Sequence, residues 1–309
     1  MPDSHRTQIR KLWPGVEARD LTLIGDGWTC DTYEVDGRWI AQFPRTVYAA
    51  TALRKQLAVL PLLGERLPVA IPIPVPSEEP DVAAMLYRKI DGEPFTERPL
   101  GAWPEQLGVM LRALQAIPPA SIGIQSKSTK ELHEERKALL GKLSERVLPL
   151  MEIKARGALE RIFEDHLRDD RAWEFQPVLV HNDLGPAHIL VDASGDLAGV
   201  IDWEELAVGD AADFAWLLGA FPEIGHRVVR AFGGDPDDSF LKRCRFLYLL
   251  MPFHEVIYGL DSDQLDFVQS GIEGIVSRLD GMEEQIRICS EKVSDNRRER
   301  AGASSCSPF

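Results

Sequence analysis

The sequence predicts an α+β protein with a β-rich first third and a mainly helical remainder. Three patterns carry this expectation. An Asp36-Gly37 pair sits between two β-prone runs, Thr32-Tyr33-Glu34-Val35 and Arg38 to Phe43, as in a tight hairpin. Beyond residue 90 the apolar residues recur at helical spacing, as in Leu107, Met110, Leu111, Leu114 and Ile117. A short β-island at residues 178–203 then interrupts the helical part. The expected organisation is a first lobe over residues 1–90, a second over residues 91–290, and a disordered tail over residues 291–309, rich in Arg, Ser and Gly.

The first lobe opens with the apolar run Leu21-Thr22-Leu23-Ile24, and Gly25-Asp26-Gly27 turns it back into the hairpin. Residues 49–63 predict a helix with Leu53, Leu57, Leu60 and Leu63 on one face. Pro68 to Pro80 is an extended connection, because proline removes the donors both regular elements need. Val82 to Ile90 reads as another strand, closed by Asp91-Gly92. In the second lobe Pro104 to Ile117 is a helix, and residues 130–170 are charged with sparse apolar positions, which predicts exposed helices. The β-island is three segments, Val178 to His181, His188 to Asp192 and Leu197 to Asp202, with Ala193-Ser194-Gly195-Asp196 turning between the last two. Residues 240–260 predict a buried helix. Residues 264–288 predict another, with the stripe Leu265, Val268, Ile272, Ile275, Leu279 and Met282.

Composition narrows the partners. Of 309 residues 44% are hydrophobic and 27% charged, enough for an ordinary globular core. The net charge of −14 repels a polyanion and attracts a small cation, so nucleic acid is not an expected partner. Cys30, Cys244, Cys289 and Cys306 form no CxxC pair and match no zinc spacing, so they read as free thiols of a reducing compartment. Residues 1–15 lack the apolar core of a signal peptide, and no apolar run reaches the roughly 18 residues that span a bilayer. A cytoplasmic monomer without membrane contact is expected.

The chemistry gathers in the β-island. It reads Leu179-Val180-His181-Asn182-Asp183-Leu184-Gly185-Pro186-Ala187-His188-Ile189-Leu190-Val191-Asp192, then Gly199-Val200-Ile201-Asp202-Trp203, then Gly209-Asp210 and Asp213. His181, Asp183, His188 and Asp202 fall at strand ends or between strands, where polar groups can converge outside a core. Phosphoryl transfer needs a carboxylate to orient the attacking hydroxyl or take its proton, and hard oxygen ligands to hold Mg²⁺ against nucleotide phosphates. Asp183 suits the first task and Asp202 the second, and His188 can add a ligand.

The H-x-D, the second ligand five residues on, and the later I-D-W together resemble the catalytic segment of protein-kinase-like enzymes. Protein kinases carry Asn at the position of His188 and D-F-G at Asp202-Trp203-Glu204. Those departures instead resemble the aminoglycoside and macrolide phosphotransferases. The resemblance implies a two-lobed protein-kinase-like fold, with nucleotide bound by residues 1–90 and catalysis and acceptor binding in residues 91–290. It implies Asp183 as catalytic base, His188 and Asp202 as Mg²⁺ ligands, and ATP or GTP as co-substrate. Asp210 corresponds to a structural carboxylate beneath the catalytic loop, and His181 to a structural neighbour. Ile24-Gly25-Asp26-Gly27-Trp28 resembles the nucleotide-covering turn, so Ile24, Gly25 and Gly27 are expected at the nucleotide, with Tyr87 and Ile90 at the hinge. Phe253 to Gly259 resembles a helix lining the acceptor site, which makes Glu255 an acceptor contact beside Asp213 and Trp203.

One feature of such kinases is missing. The third strand normally offers a Lys to the α- and β-phosphates, paired with a Glu on the next helix. Here Gln42 and Gln56 take those positions, and both charges are lost together. Alternation sends Arg45 to the other face unless Pro44 bends the chain. The leading expectation is an antibiotic O-phosphotransferase acting on an aminoglycoside or a macrolide. A kinase of another small metabolite, a catalytically weak nucleotide-binding module, and a metal site of His181, Asp183 and His188 are the other readings. The apolar run Phe214 to Phe221 suits a macrolide, and the acidic segment Glu164 to Asp170 suits a cationic acceptor.

Overall fold

Alternation and turn chemistry build the first sheet. In a computed structural model of the chain, which describes residues 2–25, 29–234 and 236–281, helix α1 (Pro2–Leu12) precedes strands β1 (Leu21–Gly25), β2 (Cys30–Val35) and β3 (Trp39–Pro44). Asp36 and Gly37 take φ of 52° and 65°. That left-handed pair opens a three-residue turn, which takes in Arg38 as well and sets Val35 opposite Trp39. Helix α2 (Val47–Gly64) follows, its first turn capped by Thr46, which accepts from the Ala49 N–H. Strand β4 (Met85–Arg88) completes an antiparallel sheet of order β1-β2-β3-β4. It is shorter than the apolar run, because the Ala84 N–H bonds back to Val82 O at 2.9 Å in a tight turn that keeps 82–84 out of the ladder.

One face of β3 gives Trp39, Ala41 and Phe43 to a cluster with Ile9, Leu12, Trp13, Tyr33 and Leu86, so α1, which no pattern in the sequence announced, covers that face. Ile40 and Gln42 point the other way. On α2, Leu53, Gln56, Val59, Leu60 and Leu63 are buried.

The β-island forms two small sheets rather than one. Strands β5 (Glu93–Pro94), β6 (Val178–Val180), β7 (Ile189–Val191), β8 (Leu197–Val200) and β9 (Ala207–Gly209) pair as β5-β7-β8 and as β6-β9. The helices are α3 (Trp103–Gln115), α4 (Thr129–Arg146), α5 (Ile153–Arg168), α6 (Trp216–Ala220), α7 (Pro222–Gly233) and α8 (Asp238–Ser262), with a further helix over residues 265–281.

The chain packs as two compact units. One comprises Met1–Ser128 with Gln176–Pro236, and holds both sheets of the β-island as well as the first sheet; the other comprises Thr129–Phe175 with the described residues from Asp237 onward. In the second, α4 and α5 keep their charged faces exposed, as the sequence suggested. Their few apolar residues, Leu140, Leu143, Leu159 and Phe163 among them, pack with Leu249, Phe253 and Val256 of α8 and with Ile275 and Leu279. Cys30 and Cys244 are buried free thiols. Among the described residues no helix is long and apolar enough to cross a membrane. Gly27, Met282 and the tail expected from residue 291 lie outside the described residues.

Candidate functional site

Two left-handed residues bring the polar groups out of the small sheets. Asn182 follows β6 with φ 66°, and Asp202 follows β8 with the same φ. Asn and Asp tolerate this conformation best among residues with a Cβ, at a cost of about 1–3 kcal/mol each. The Asn182 N–H donates to Asp213 Oδ2 at 2.9 Å, which fixes the turn leading into Asp183. A 3-10 turn, Pro186–His188, then delivers His188 at the start of β7. One ligand atom from each of Asp183, His188 and Asp202 lies within 4.8 Å of the others.

Hydrogen bonding sets the tautomer of His188. Its Nδ1 is 2.6 Å from the Asp183 carbonyl, which can only accept, so Nδ1 carries the proton and donates. The Gly185 N–H, at 3.4 Å from the same nitrogen, is the weaker contact. Nε2, on the other side of the ring, faces Asp202 Oδ2 3.4 Å away. An imidazole nitrogen and a carboxylate oxygen that face each other at this spacing can share a divalent cation. The carboxylates agree. Asp183 is pushed up to about 6, by burial first and further by Asp202 and Glu205, with His188 opposing. Burial also raises Asp202, with Glu205 adding to it and His188 opposing. Two carboxyls that resist ionisation, with an imidazole nitrogen beside them, fit a hard divalent ion.

The segment after Asp202 adds residues the motif had not singled out. Trp203 is fully buried, and its Nε1 donates to Val200 O at 2.9 Å. It therefore packs beneath the site, out of reach of an acceptor, which corrects the expected acceptor contact. Glu204 is pushed up to about 7 by burial and then by Asp202, while a Thr29 hydroxyl bond of 3.4 Å opposes the rise. Tyr48 donates to Glu205 Oε1 at 2.5 Å. Lys55 Nζ donates to Glu204 O at 2.7 Å and to Leu206 O at 3.1 Å. The Glu204-Glu205 pair next to Asp202 was the available sequence signal. Nothing local marks Thr29, Tyr48 or Lys55 as its partners.

The other expected residues fall on several elements. His181 is 0% exposed, its Nε2 donates to Ile201 O at 3.0 Å, and burial holds its pKa near 3, so the ring is neutral and supports Trp203 and His188. Asp210 caps the 3-10 turn Ala211–Ala215 by accepting from the Ala212 N–H. Asp213 sits in that turn, with one oxygen used by Asn182. Gly25 ends β1 opposite Thr32, next to the half-exposed Ile24. Gln42 lies between Thr32 and Met85 in the ladder, and its Oε1 is buried with no hydrogen-bond partner among the described residues. Gln56 is buried on α2. Arg45 turns away to Asp31, Nε to Oδ1 2.6 Å. Tyr87 is buried on β4, its hydroxyl raised by burial and by Asp202. Ile90 lies against Gly199 of β8. Glu255 is partly exposed on α8, in the other compact unit.

A model of the phosphotransferase enzyme family matches residues 20–246. The chain belongs to that family. Viomycin phosphotransferase of Streptomyces vinaceus is 27% identical to this family member over 133 residues, 41% of this chain and 45% of that protein. The chain spans less than half the length of the curated relatives it matches. The GDP and kanamycin complex of APH(2")-IIia superposes with a TM-score of 0.79 at 23% identity, over 89% of this chain and 98% of that one. Macrolide 2'-phosphotransferase type I superposes with a TM-score of 0.73 at 20% identity, over 88% and 96%. The α+β, protein-kinase-like fold with a β-rich N-lobe and a helical C-lobe, expected from the sequence, is the fold of this family member.

Proposed function

We propose that the chain is an antibiotic O-phosphotransferase that moves the terminal phosphate of ATP or GTP to a hydroxyl of an aminoglycoside or macrolide. The observation that carries this reading is the meeting of Asp183, His188 and Asp202 within 4.8 Å in a chain of the phosphotransferase enzyme family. Asp183 is the catalytic base. It accepts the proton of the acceptor hydroxyl as that oxygen bonds to the γ-phosphorus and the bond to the β-phosphate oxygen breaks, so the nucleoside diphosphate leaves. His188 Nε2 and an Asp202 oxygen hold Mg²⁺, which when bound supplies charge neutralisation at the phosphates. With its carboxyl at about 6, Asp183 is ionised and able to act above that pH.

Residues 1–90 form the nucleotide lobe and residues 91–290 the acceptor lobe. The turn of Ile24, Gly25 and Gly27 covers the nucleotide, Gln42 offers an amide where other kinases offer a Lys, and Tyr87 and Ile90 border the base. Glu255 contacts the acceptor. The kanamycin and GDP held by one relative, and the viomycin named for another, support a cationic acceptor and GTP; the macrolide enzyme of like fold keeps the lactone open. The acidic charge and free thiols support a cytoplasmic enzyme that acts as a monomer without nucleic acid. A second reading, a catalytically weak nucleotide-binding module, is favoured by the partnerless Oε1 of Gln42.

Phosphate transfer from ATP and GTP across aminoglycosides, tuberactinomycins and macrolides decides between the two. Asp183→Asn should lower kcat by about 10²- to 10⁴-fold and leave nucleotide affinity nearly unchanged. A wild-type chain that transfers to none of them, or an Asp183→Asn chain as active as wild type, sinks the proposal.

A further inference from the structure

The segment from Asp202 to Ala207 joins the two small sheets. β8 ends just before Asp202, and β9 begins at Ala207, paired with Val180 of β6. Three residues beyond Val180 stands Asp183. The path of residues 202–207 therefore fixes where Asp202 lies relative to Asp183. Among the described residues one backbone hydrogen bond closes this segment on itself, a long one from the Leu206 N–H to Trp203 O at 3.3 Å. The remaining grip comes from elements far away in sequence. Lys55 of α2 reaches across 149 and 151 residues to the carbonyls of Glu204 and Leu206. Tyr48, two turns earlier on the same helix, holds Glu205, and Thr29 holds Glu204.

The ammonium of Lys55 is half-buried, a costly position for a charge without compensation. Two backbone carbonyls accept from it directly, and the Glu204 and Glu205 charges favour its protonated form against burial. Its neighbour Gln56 is buried and uncharged, and Gln42 on the facing strand is uncharged too. The helix thus carries a cation one residue before the position where related kinases place an anion, and aims it at the metal-ligand segment.

We propose that Lys55 is a positioning residue for the candidate metal site, clamping the Glu204–Leu206 segment to α2 so that Asp202 is held facing His188 and Asp183. This rests on the reading of those three residues as the metal and catalytic centre. The clamp supplies from the helix the tie between sheet, helix and metal-ligand segment that a strand lysine and a helix glutamate supply elsewhere.

The test uses the full chain as wild type and as Lys55→Met, Lys55→Gln and Lys55→Arg, with Arg54→Met, an exposed neighbour on α2, as control. Amide hydrogen exchange of residues 202–206 reads the clamp, Mn²⁺ titration without nucleotide reads the site, and phosphate transfer reads turnover. Lys55→Met should speed exchange in that segment, weaken Mn²⁺ by about 10- to 100-fold and lower kcat in step while the acceptor KM holds. Lys55→Arg should restore most of each, and Lys55→Gln, which keeps an uncharged amide donor on a shorter side chain, replaces Lys55→Met if that chain does not fold. Exchange or Mn²⁺ affinity as in Arg54→Met, or no rescue by Arg, overturns the clamp. A wild type that binds no Mn²⁺ overturns the metal-site reading and this proposal with it, whereas normal wild-type binding that Lys55→Met leaves untouched overturns this proposal alone.

Discussion

Buried imidazoles and crowded carboxyls titrate in opposite senses, and this chain holds both. His166 lies flat on Phe246 with ring centroids 3.5 Å apart, and Trp173 tilts against it at 5.2 Å. Burial, and then the Arg136 charge, lowers its pKa to about 3, and burial holds His181 near the same value. In the unfolded chain these rings take a proton near pH 6.5. The folded chain refuses it, so stability is complete above that pH and is lost as the pH falls toward 3, by up to about 1.4 kcal/mol per pH unit for each ring. Asp183 and Glu204 act the other way. Their carboxyls sit at about 6 and about 7, so their stabilising share is complete below the ordinary carboxyl range and is lost as the pH rises through those values. The acid limb of the wild type mixes the two effects, and His166→Phe separates them, since it keeps a ring on Phe246 and removes one titration. Urea unfolding of both chains should show their free-energy difference moving in the variant's favour between pH 7 and pH 5. A difference that stays constant over that range would mean His166 is not held neutral.

At the scale of elements, the α3–α7 pair depends on a close approach. A Cβ on Gly108 would stand 2.8 Å from Ala231 Cβ and 3.0 Å from Phe232 N, and closer still to the Val228 carbonyl. Backbone atoms cannot swing aside. The same pair is tied by Glu105 and Arg227 through two bonds of 2.6 Å each. Gly108→Ala should therefore cost about 1–3 kcal/mol by forcing the helices apart. Gly141 on α4 meets nothing within 4 Å, and Gly141→Ala should add about 0.5–1 kcal/mol through helix propensity alone. Denaturant unfolding of the two variants should give opposite signs, and a matching sign would show that the helices do not pack as closely as this. Elements with a long period, such as α2, α3 and α8, were legible in the sequence, as was the Asp36-Gly37 turn. Strands β5 and β9, two and three residues long, have no period to read. That β6 pairs with β9 rather than with its neighbours in sequence is decided by long-range packing, which no local pattern records.

Over the whole molecule, how far the site could be read from the sequence follows from sequence distance. Asp183, His188 and Asp202 fall within 20 residues of one another, and a strand–turn–strand geometry was enough to expect their meeting. Lys55, Tyr48 and Thr29 reach the same place from more than 140 residues away, so only the fold reveals them. The charge was legible from composition, and it bears on the acceptor. The net charge of −14, with Glu204 and Glu205 directly after Asp202, gives the chain a negative field overall. That field speeds the encounter with a polycation and is screened by salt, with a Debye length of about 30 Å at 0.01 M falling to about 3 Å at 1 M. The kcat/KM for a polycationic aminoglycoside should thus fall by about 10-fold or more as ionic strength rises across that range. For a macrolide with a single amine it should change far less, while kcat at saturation stays level for both. Salt dependence that is equal for the two acceptors would mean that contacts inside the acceptor pocket, rather than the charge of the whole chain, set the preference.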